Sequence, residues 1–421
     1  MKKIITIFIT FFCLVLILPT NAKAVKRNAN DIAKLKKIVN EQLKKGANIS
    51  KDIENDYNYT WDKNGRLESI SWDYCNLIGD IKIPSFNKLK SLKISRNKEL
   101  KSITVEDNKS LEEITFSGYE DYENEQSVYF PYDKIEIKGC INLKSITIYN
   151  ANKIKTGSSG LDLSRYTNLK ELNLHFCNLK NLDISNNKKL TRLDISNNNF
   201  EKIDLSNNKN IQTLVLDFNN FSAIDIKNNT KTEYLDISFN PCTEFYFTTL
   251  KNLKILTCES TKLTKLDLSD SKKLVSLRTA DGVLSDGGLL LGEKPELTFM
   301  DCHNNKKLTS IDLNGCTALT RFNCSDCGLT ELNLDKTTSL IKLYCKNNNL
   351  KELNTSSLTN LDILSCSNNQ LVSLDLSNNK KLRKLLCKGN NITGLDLSNC
   401  PKLLETDKES FTYDAETTII Q

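Results

Sequence analysis

Apolar residues recur along this chain with a fixed period that is too long for a single helix or strand. Leu172, Leu193, Leu214, Leu235, Leu256 and Leu277 stand 21 residues apart, and the series resumes at Met300, Phe322, Leu343, Leu364 and Leu385. One full unit reads Leu190-Thr-Arg-Leu193-Asp-Ile195-Ser-Asn-Asn198-Asn-Phe200 and continues Ile203-Asp-Leu205-Ser-Asn-Asn208. Within it Leu193 and Ile195 alternate with Asp194 and Ser196, the period-two pattern of a short strand buried on one face. A lone strand of this kind cannot cover its apolar side, so each unit must rest on the next and the core grows by stacking. A looser version runs upstream through Ile70, Leu92, Ile114 and Ile146, giving about fifteen turns between residues 67 and 404. With parallel strands ~4.8 Å apart, the stack is roughly 70 Å long.

Three stretches break the period: Tyr119 to Cys140, Thr156 to Arg165, and Gly282 to Pro295 with its four glycines. All three are expected to project as loops, since an inserted piece cannot enter a stacked core. The asparagines at the ninth position, Asn198, Asn219, Asn240, Asn348, Asn369 and Asn390, stand where the chain leaves the strand. A side-chain amide there can satisfy backbone groups inside the bend, so these residues read as structural. Ahead of the repeats, residues 30–45 place Ile32, Leu35, Ile38, Val39 and Leu43 at helical spacing among lysines, an amphipathic helix with Asn30 or Asp31 as its cap.

The unit LxxLxLxxNxL, with a second half reading LxxLDLxxN, resembles the leucine-rich repeat family and its exported bacterial 21-residue class, distantly internalin-like. Tyr59 to Trp72, which holds the chain's only two tryptophans, resembles the capping segment that precedes such repeats. The resemblance implies an α/β repeat fold. A parallel sheet would form one face of the solenoid, extended or 3-10 segments the other, and a helical cap the N-terminal end. It also implies binding, commonly of protein ligands in adhesion or host contact. The departure is that internalins use a 22-residue unit and generally carry anchors, whereas no sorting signal or second domain is legible here.

The first 24 residues change the setting. Lys2 and Lys3 precede an apolar run from Ile4 to Leu18, and Ala22-Lys23-Ala24 offers small residues at a cleavage site, which together read as a secretory signal peptide. The expected organisation is therefore 1–24 signal peptide, 25–66 N-terminal cap, 67–404 solenoid and 405–421 C-terminal tail. The whole chain has 58 Lys and Arg against 52 Asp and Glu; losing Lys2, Lys3 and Lys23 leaves 55 against 52, close to neutral. A nucleic-acid partner is therefore not expected, and after cleavage neither is membrane insertion, because no later run approaches ~18 apolar residues.

Chemistry is sparse. Of 14 cysteines, 13 remain in the mature chain, and Cys258, Cys302, Cys324, Cys345, Cys366 and Cys387 all take the sixth, core-facing position. They are expected to be mostly reduced, small apolar side chains lying parallel in a column. Cys324 and Cys327 have zinc-like spacing but fill repeat positions six and nine without a second ligand pair, so no metal or other cofactor is expected. Asp183, Asp204, Asp225, Asp267, Asp312, Asp375 and Asp396 also recur and read as backbone-bonding or lysine-paired rather than calcium-binding. With two histidines and no nucleophile–base–orienter set, catalysis is not expected.

What remains is the outward side of the sheet, mostly charged and small polar residues. Phe176, Phe218 and Phe239 all hold the eighth position of their units, with Asn197 in the intervening one, and His175 and Tyr234 share the face. Exposed aromatics in file read as an anchor patch for a protein or glycan ligand, the competing possibility being that they pack beneath a loop. Tyr149, Phe299 and Tyr344 extend the surface toward either end. The expected function is a secreted or surface-associated binding module, with a structural spacer of the cell envelope as the alternative.

Overall fold

The computed structural model describes residues 26–420 apart from 55, 119–131, 152, 155–160, 246–249 and 405–408. The signal sequence and parts of two of the three interruptions lie outside the described residues.

The leucines of the 21-residue period align as expected. Leu172, Leu193, Leu214, Leu235 and Leu256 face one another across parallel strands with no register slip, and Leu277, Met300, Phe322, Leu343, Leu364 and Leu385 continue the line. Each is fully buried, so a single apolar column runs the length of the molecule. The result is a solenoid with one 17-stranded sheet along its front. The back is built from turns and short parallel pieces. These include Ile78–Ile83, Glu99–Glu106 and Lys134–Lys138, and farther along the pairs Ala223–Ile224 with Glu244–Phe245 and Leu266–Asp267 with Leu289–Leu290.

The asparagine column explains how one coil is fastened to the next. Asn198 accepts from Cys177 N (3.1 Å) and Leu179 N (2.9 Å) of the preceding coil, while its Nδ2 donates to Leu174 O (2.7 Å), Ile195 O and Ser196 O (both 3.0 Å). Asn219, Asn240, Asn348, Asn369 and Asn390 repeat the bond to the carbonyl 24 residues earlier. A second column stands at the back, where Asn187, Asn208 and Asn229 donate to carbonyls of the coil before.

Three expectations need correction. The helix spans Ala29–Lys44 and is capped by Asn28, whose Oδ1 accepts from Asn30 N and Asp31 N (3.2 Å each). Asp31 is instead buried in the first turn, where it holds Arg66 by a two-pronged ion pair (2.7 and 3.0 Å) and accepts from Leu67 N, tying the helix to the first repeat. Residues 282–295 do not project. Leu284, Leu289 and Leu291 are buried, and left-handed Gly287 and Gly292 absorb the two extra residues, so the insertion is wound in as a longer coil. There Lys294 takes the place of the back asparagine: fully buried, its Nζ donates to Leu268 O (2.8 Å), Leu291 O and Glu293 O (3.1 Å). Residues 411–420, expected as tail, carry the ladder on: Phe411 pairs with Leu385, and Thr418–Ile420 pairs with Gly394–Asp396.

The other interruptions are mixed. Residues 119–131 are outside the description, but Tyr132 is buried with its hydroxyl on Ser117 O, and Leu161 and Leu163 are core residues. At the N-terminal edge, Tyr59–Trp61 pairs antiparallel with Leu67–Asp73 and covers the first strand, while Trp72 is fully buried and donates to Tyr59 Oη (3.0 Å). All 13 described cysteines are buried thiols, and burial pushes Cys177, Cys345 and Cys387 up to about 12. Cys327 Sγ donates to Cys302 O of the preceding coil (3.3 Å).

Two outcomes follow. Asn198→Ala strips bonds to five backbone groups and should lower stability by about 2–4 kcal/mol in urea unfolding, while Asn199→Ala on the exposed rim should change it by less than about 0.5 kcal/mol. Protein purified without reductant should show almost no thiol reactive in the native state and 13 after denaturation; loss of thiols in pairs would mean that disulfides form.

Candidate functional site

The repeat makes the eighth residue of each unit unusual. It ends the strand in the left-handed region, with φ of 54° at Asn197, 57° at Asn304, 55° at Asn347 and 54° at Asn368, and Gly389 shares the column. Asparagine and glycine adopt this region readily; bulky side chains do so at a cost. In the C-terminal coils these asparagines also bond along the column, Asn347 Nδ2 to Asp326 Oδ1 (2.6 Å) and Asn368 Nδ2 to Asn347 Oδ1 (2.7 Å).

Phe176 (φ 56°), Phe218 (51°) and Phe239 (54°) occupy this same column. The backbone twist carries their rings out past the strand ends. Phe218 and Phe239 are 46% and 42% exposed, and their rings stack at 4.1 Å with 9° between planes. Both rings thus stay open to solvent over nearly half their surface. Phe176, two coils away, is half-buried and meets the His175 ring edge-on at 4.7 Å. Tyr234 lies on the same face but near the start of its strand, at the opposite rim from Phe239, with exposed Ile255 beside it. The five residues named from sequence thus divide into a stacked pair, an edge-on pair and a separate tyrosine.

Between them the structure adds carboxylates that sequence reading passed over. Asp194 and Asp236 point outward from position five, Asp217 and Glu259 from position seven. Asp194 is tied down by Ser196 Oγ (2.7 Å), which also meets His175 Nδ1 (2.7 Å). The hydroxyl here sits between carboxylate and imidazole, so it is not a nucleophile served by a histidine base. Asp217 has no ion-pair partner among the described residues. Burial, then the charges of Asp236 and Asp194, push its carboxyl up to about 7. Burial also raises Asp236 and Glu259, the latter opposed by Arg278. In the sequence, positions five and seven mark these residues only as outward-facing; the crowd forms when the coils stack.

Farther along, cations and rings alternate. Arg278 lies 4.6 Å from the Phe299 ring, and Arg321 lies between Phe299 (5.4 Å) and Tyr344 (5.6 Å). Lys342, Lys346, Lys384 and Lys388 take the outward positions beyond them. No set of three or more His, Cys, Asp or Glu side chains suited to a metal ion occurs among the described residues.

No protein-family model matches the sequence, and no curated protein does. Solved structures do resemble the fold. A leucine-rich repeat protein from Bacteroides eggerthii is 15% identical at a TM-score of 0.57, with 93% of this chain and 98% of that one covered. An internalin (inlF) from Listeria monocytogenes is 22% identical at 0.50, covering 62% and 85%. The ectodomain of the Arabidopsis thaliana receptor kinase GASSHO1/SCHENGEN3, solved with CASPARIAN STRIP INTEGRITY FACTOR 2, is 18% identical at 0.60, covering 88% and 52%. The fold is a leucine-rich repeat solenoid, an architecture that presents an extended surface for binding.

The carboxylate crowd has a measurable signature. Asp217 titrates near 3.8 when unfolded and about 7 when folded, so between those values the folded chain holds a proton that the unfolded chain has released. Stability is fullest below the lower value and falls as pH rises through the window. Asp217→Asn should leave thermal stability unchanged near pH 4 and raise it near pH 8, flattening the decline between about 4 and 8.

Proposed function

We propose that this chain is an exported, secreted or surface-associated, non-catalytic module that binds a protein ligand through the outward face of its sheet, with Phe218 and Phe239 as anchor and Phe176, His175 and Tyr234 beside them. The observation that carries this reading is the phenylalanine pair itself. The repeat offers asparagine as the low-strain residue at position eight, and four coils instead hold a bulky ring there, Tyr74 beneath Arg96 near the N-terminal end and the three phenylalanines close together. Each such ring costs about 1–2 kcal/mol of backbone strain, and Phe218 and Phe239 still leave nearly half their surface to water. A partner that covers the rings supplies the missing burial, and paired exposed aromatics are common anchors of interfaces. Export is supported by the leader-like character of residues 1–24; no helix among the described residues is long and apolar enough to cross a membrane.

The double variant Phe218→Asn/Phe239→Asn separates binding from folding. Relief of strain offsets loss of stacking, so its melting temperature should stay level or rise. Binding to intact cells and envelope fractions should be saturable for the natural chain and ~30-fold weaker or worse for the variant. A marked fall in melting temperature would show that the rings serve stability. Equal binding by both proteins would favour the spacer reading.

A further inference from the structure

The outward face is divided by charge as well as decorated by rings. From the strand Arg192–Asp194 to the strand Phe299–Asp301 it carries Asp194, Asp217, Asp236, Glu259 and Asp301. Part of that charge is answered locally: Arg192 lies 3.9 Å from Asp194, Arg278 3.8 Å from Glu259, and His303 2.7 Å from Asp301. Asp217 and Asp236 have no cation within ion-pair distance among the described residues. From Arg321–Asn323 to Lys384–Leu386 the same positions hold Arg321, Lys342, Lys346, Lys384 and Lys388 and no acid. Asp326 at the rim reaches Lys346 at 3.6 Å; Lys342, Lys384 and Lys388 have no ion pair among the described residues.

We propose that this face docks against the same face of a second copy of the chain, the two solenoids running in opposite directions, so that the acidic coils of Asp217 and Asp236 in each meet the basic coils of Lys342 and Arg321 in the other. The proposal rests on the reading of this face as a protein-binding surface and names its partner. Complementarity follows from the positions. A two-fold axis lying in the face along the strand Ser276–Arg278 reverses the solenoid and keeps the strand direction. It sets the coil of Asp217 opposite that of Lys342, Tyr344 and Lys346, and the coil of Asp236 opposite that of Arg321. Because strand direction is kept, the rim bearing Phe218 and Phe239 meets the rim bearing Lys346 and Ser325. An aromatic ring then stands where it can receive an ammonium group, as Phe299 and Tyr344 already receive Arg321. Such a contact is isologous and closes at two copies.

Shape permits it. Strand pairs at the back, Ala223–Ile224 with Glu244–Phe245 and Leu266–Asp267 with Leu289–Leu290, advance by the same ~4.8 Å per coil as the front sheet, so the solenoid curves little across those central coils. The eleven strands from Glu171–Asn173 to Lys384–Leu386 make a face about 50 Å long and ~15 Å wide. Two copies would bury on the order of 1,400 Å², within the ~1,200–2,000 Å² of specific interfaces.

Sedimentation velocity of the mature chain, residues 25–421, over a wide concentration range at low salt tests the idea. A dimer that dissociates as salt is raised is expected. Asp217→Lys/Asp236→Lys and Lys342→Glu/Arg321→Glu should each weaken self-association by at least ~tenfold, and an equal mixture of the two should restore the dimer, because each reversed coil then faces its reversed counterpart. Restoration would also prove both variants folded. A natural chain that stays monomeric throughout, variants that dimerise as well as it does, or a mixture that stays monomeric would each overturn the proposal. Monomers that still bind cells through Phe218 and Phe239 would overturn the dimer alone and leave the protein-binding reading standing.

Discussion

The structure depends on one kind of bond, the side-chain amide that closes a turn in its own coil while holding the backbone of the coil before. Asn198 does this with five contacts, and no leucine in the column could replace them. Burying apolar residues explains why coils stack but not why they stack in one register, since a leucine column tolerates small slides. Backbone groups at the bend are buried and must be paired, and those of the neighbouring coil find their partner in an amide 19 to 24 residues away. That requirement fixes the pitch. At the back, where the column varies more, Lys294 reaches a carbonyl of the coil before with a buried ammonium.

The same bend decides where variation is allowed. For the ninth residue to turn its amide inward, the eighth must enter the left-handed region, and its side chain is thereby thrown outward past the strand end. The fold therefore prepares, once per coil, a position that contributes little to the core and is well displayed. Asn and Asp are its commonest occupants, and their short polar chains tolerate the conformation and bond to neighbours. Phe218 and Phe239 do neither. Their presence is a local departure from what the coil prefers, and departures of this kind are where function is best sought.

How much was legible in the sequence follows from how each feature is encoded. The period, the strand positions, the asparagine column and the buried cysteines each repeat, so a single register exposes them all. Features that occur once were harder. The cap at Asn28 was misplaced because Asp31 also has a capping residue's chemistry; only the position of Arg66, 35 residues on, shows that Asp31 is spent on an ion pair. Residues 282–295 looked like a loop for their glycines, yet those glycines are what let Leu289 and Leu291 return to the core. Within the site, the phenylalanines were visible as large residues in a polar column. Asp217 was not, because one aspartate among 52 acidic residues has no mark in the sequence and becomes distinctive only when burial and two neighbouring carboxylates surround it.

Both unfavourable features of the front face, the strained rings and the crowded carboxylates, fall on the same consecutive coils, from Glu171 to Glu259. In a compact domain such a concentration would threaten cooperative folding as a whole. In a solenoid, stability is close to a sum over coils and their immediate contacts, so a weak stretch is carried by the coils on either side of it. Those flanks are regularly built, with a cysteine column from Cys324 to Cys387 and an asparagine column from Asn348 to Asn390, and a capped helix tied to Arg66 at the other end. The architecture thus permits a strip of surface to be optimised for something other than its own stability. A strip left apolar, strained and under-neutralised between two well-fastened flanks is better suited to meeting another molecule than to facing water.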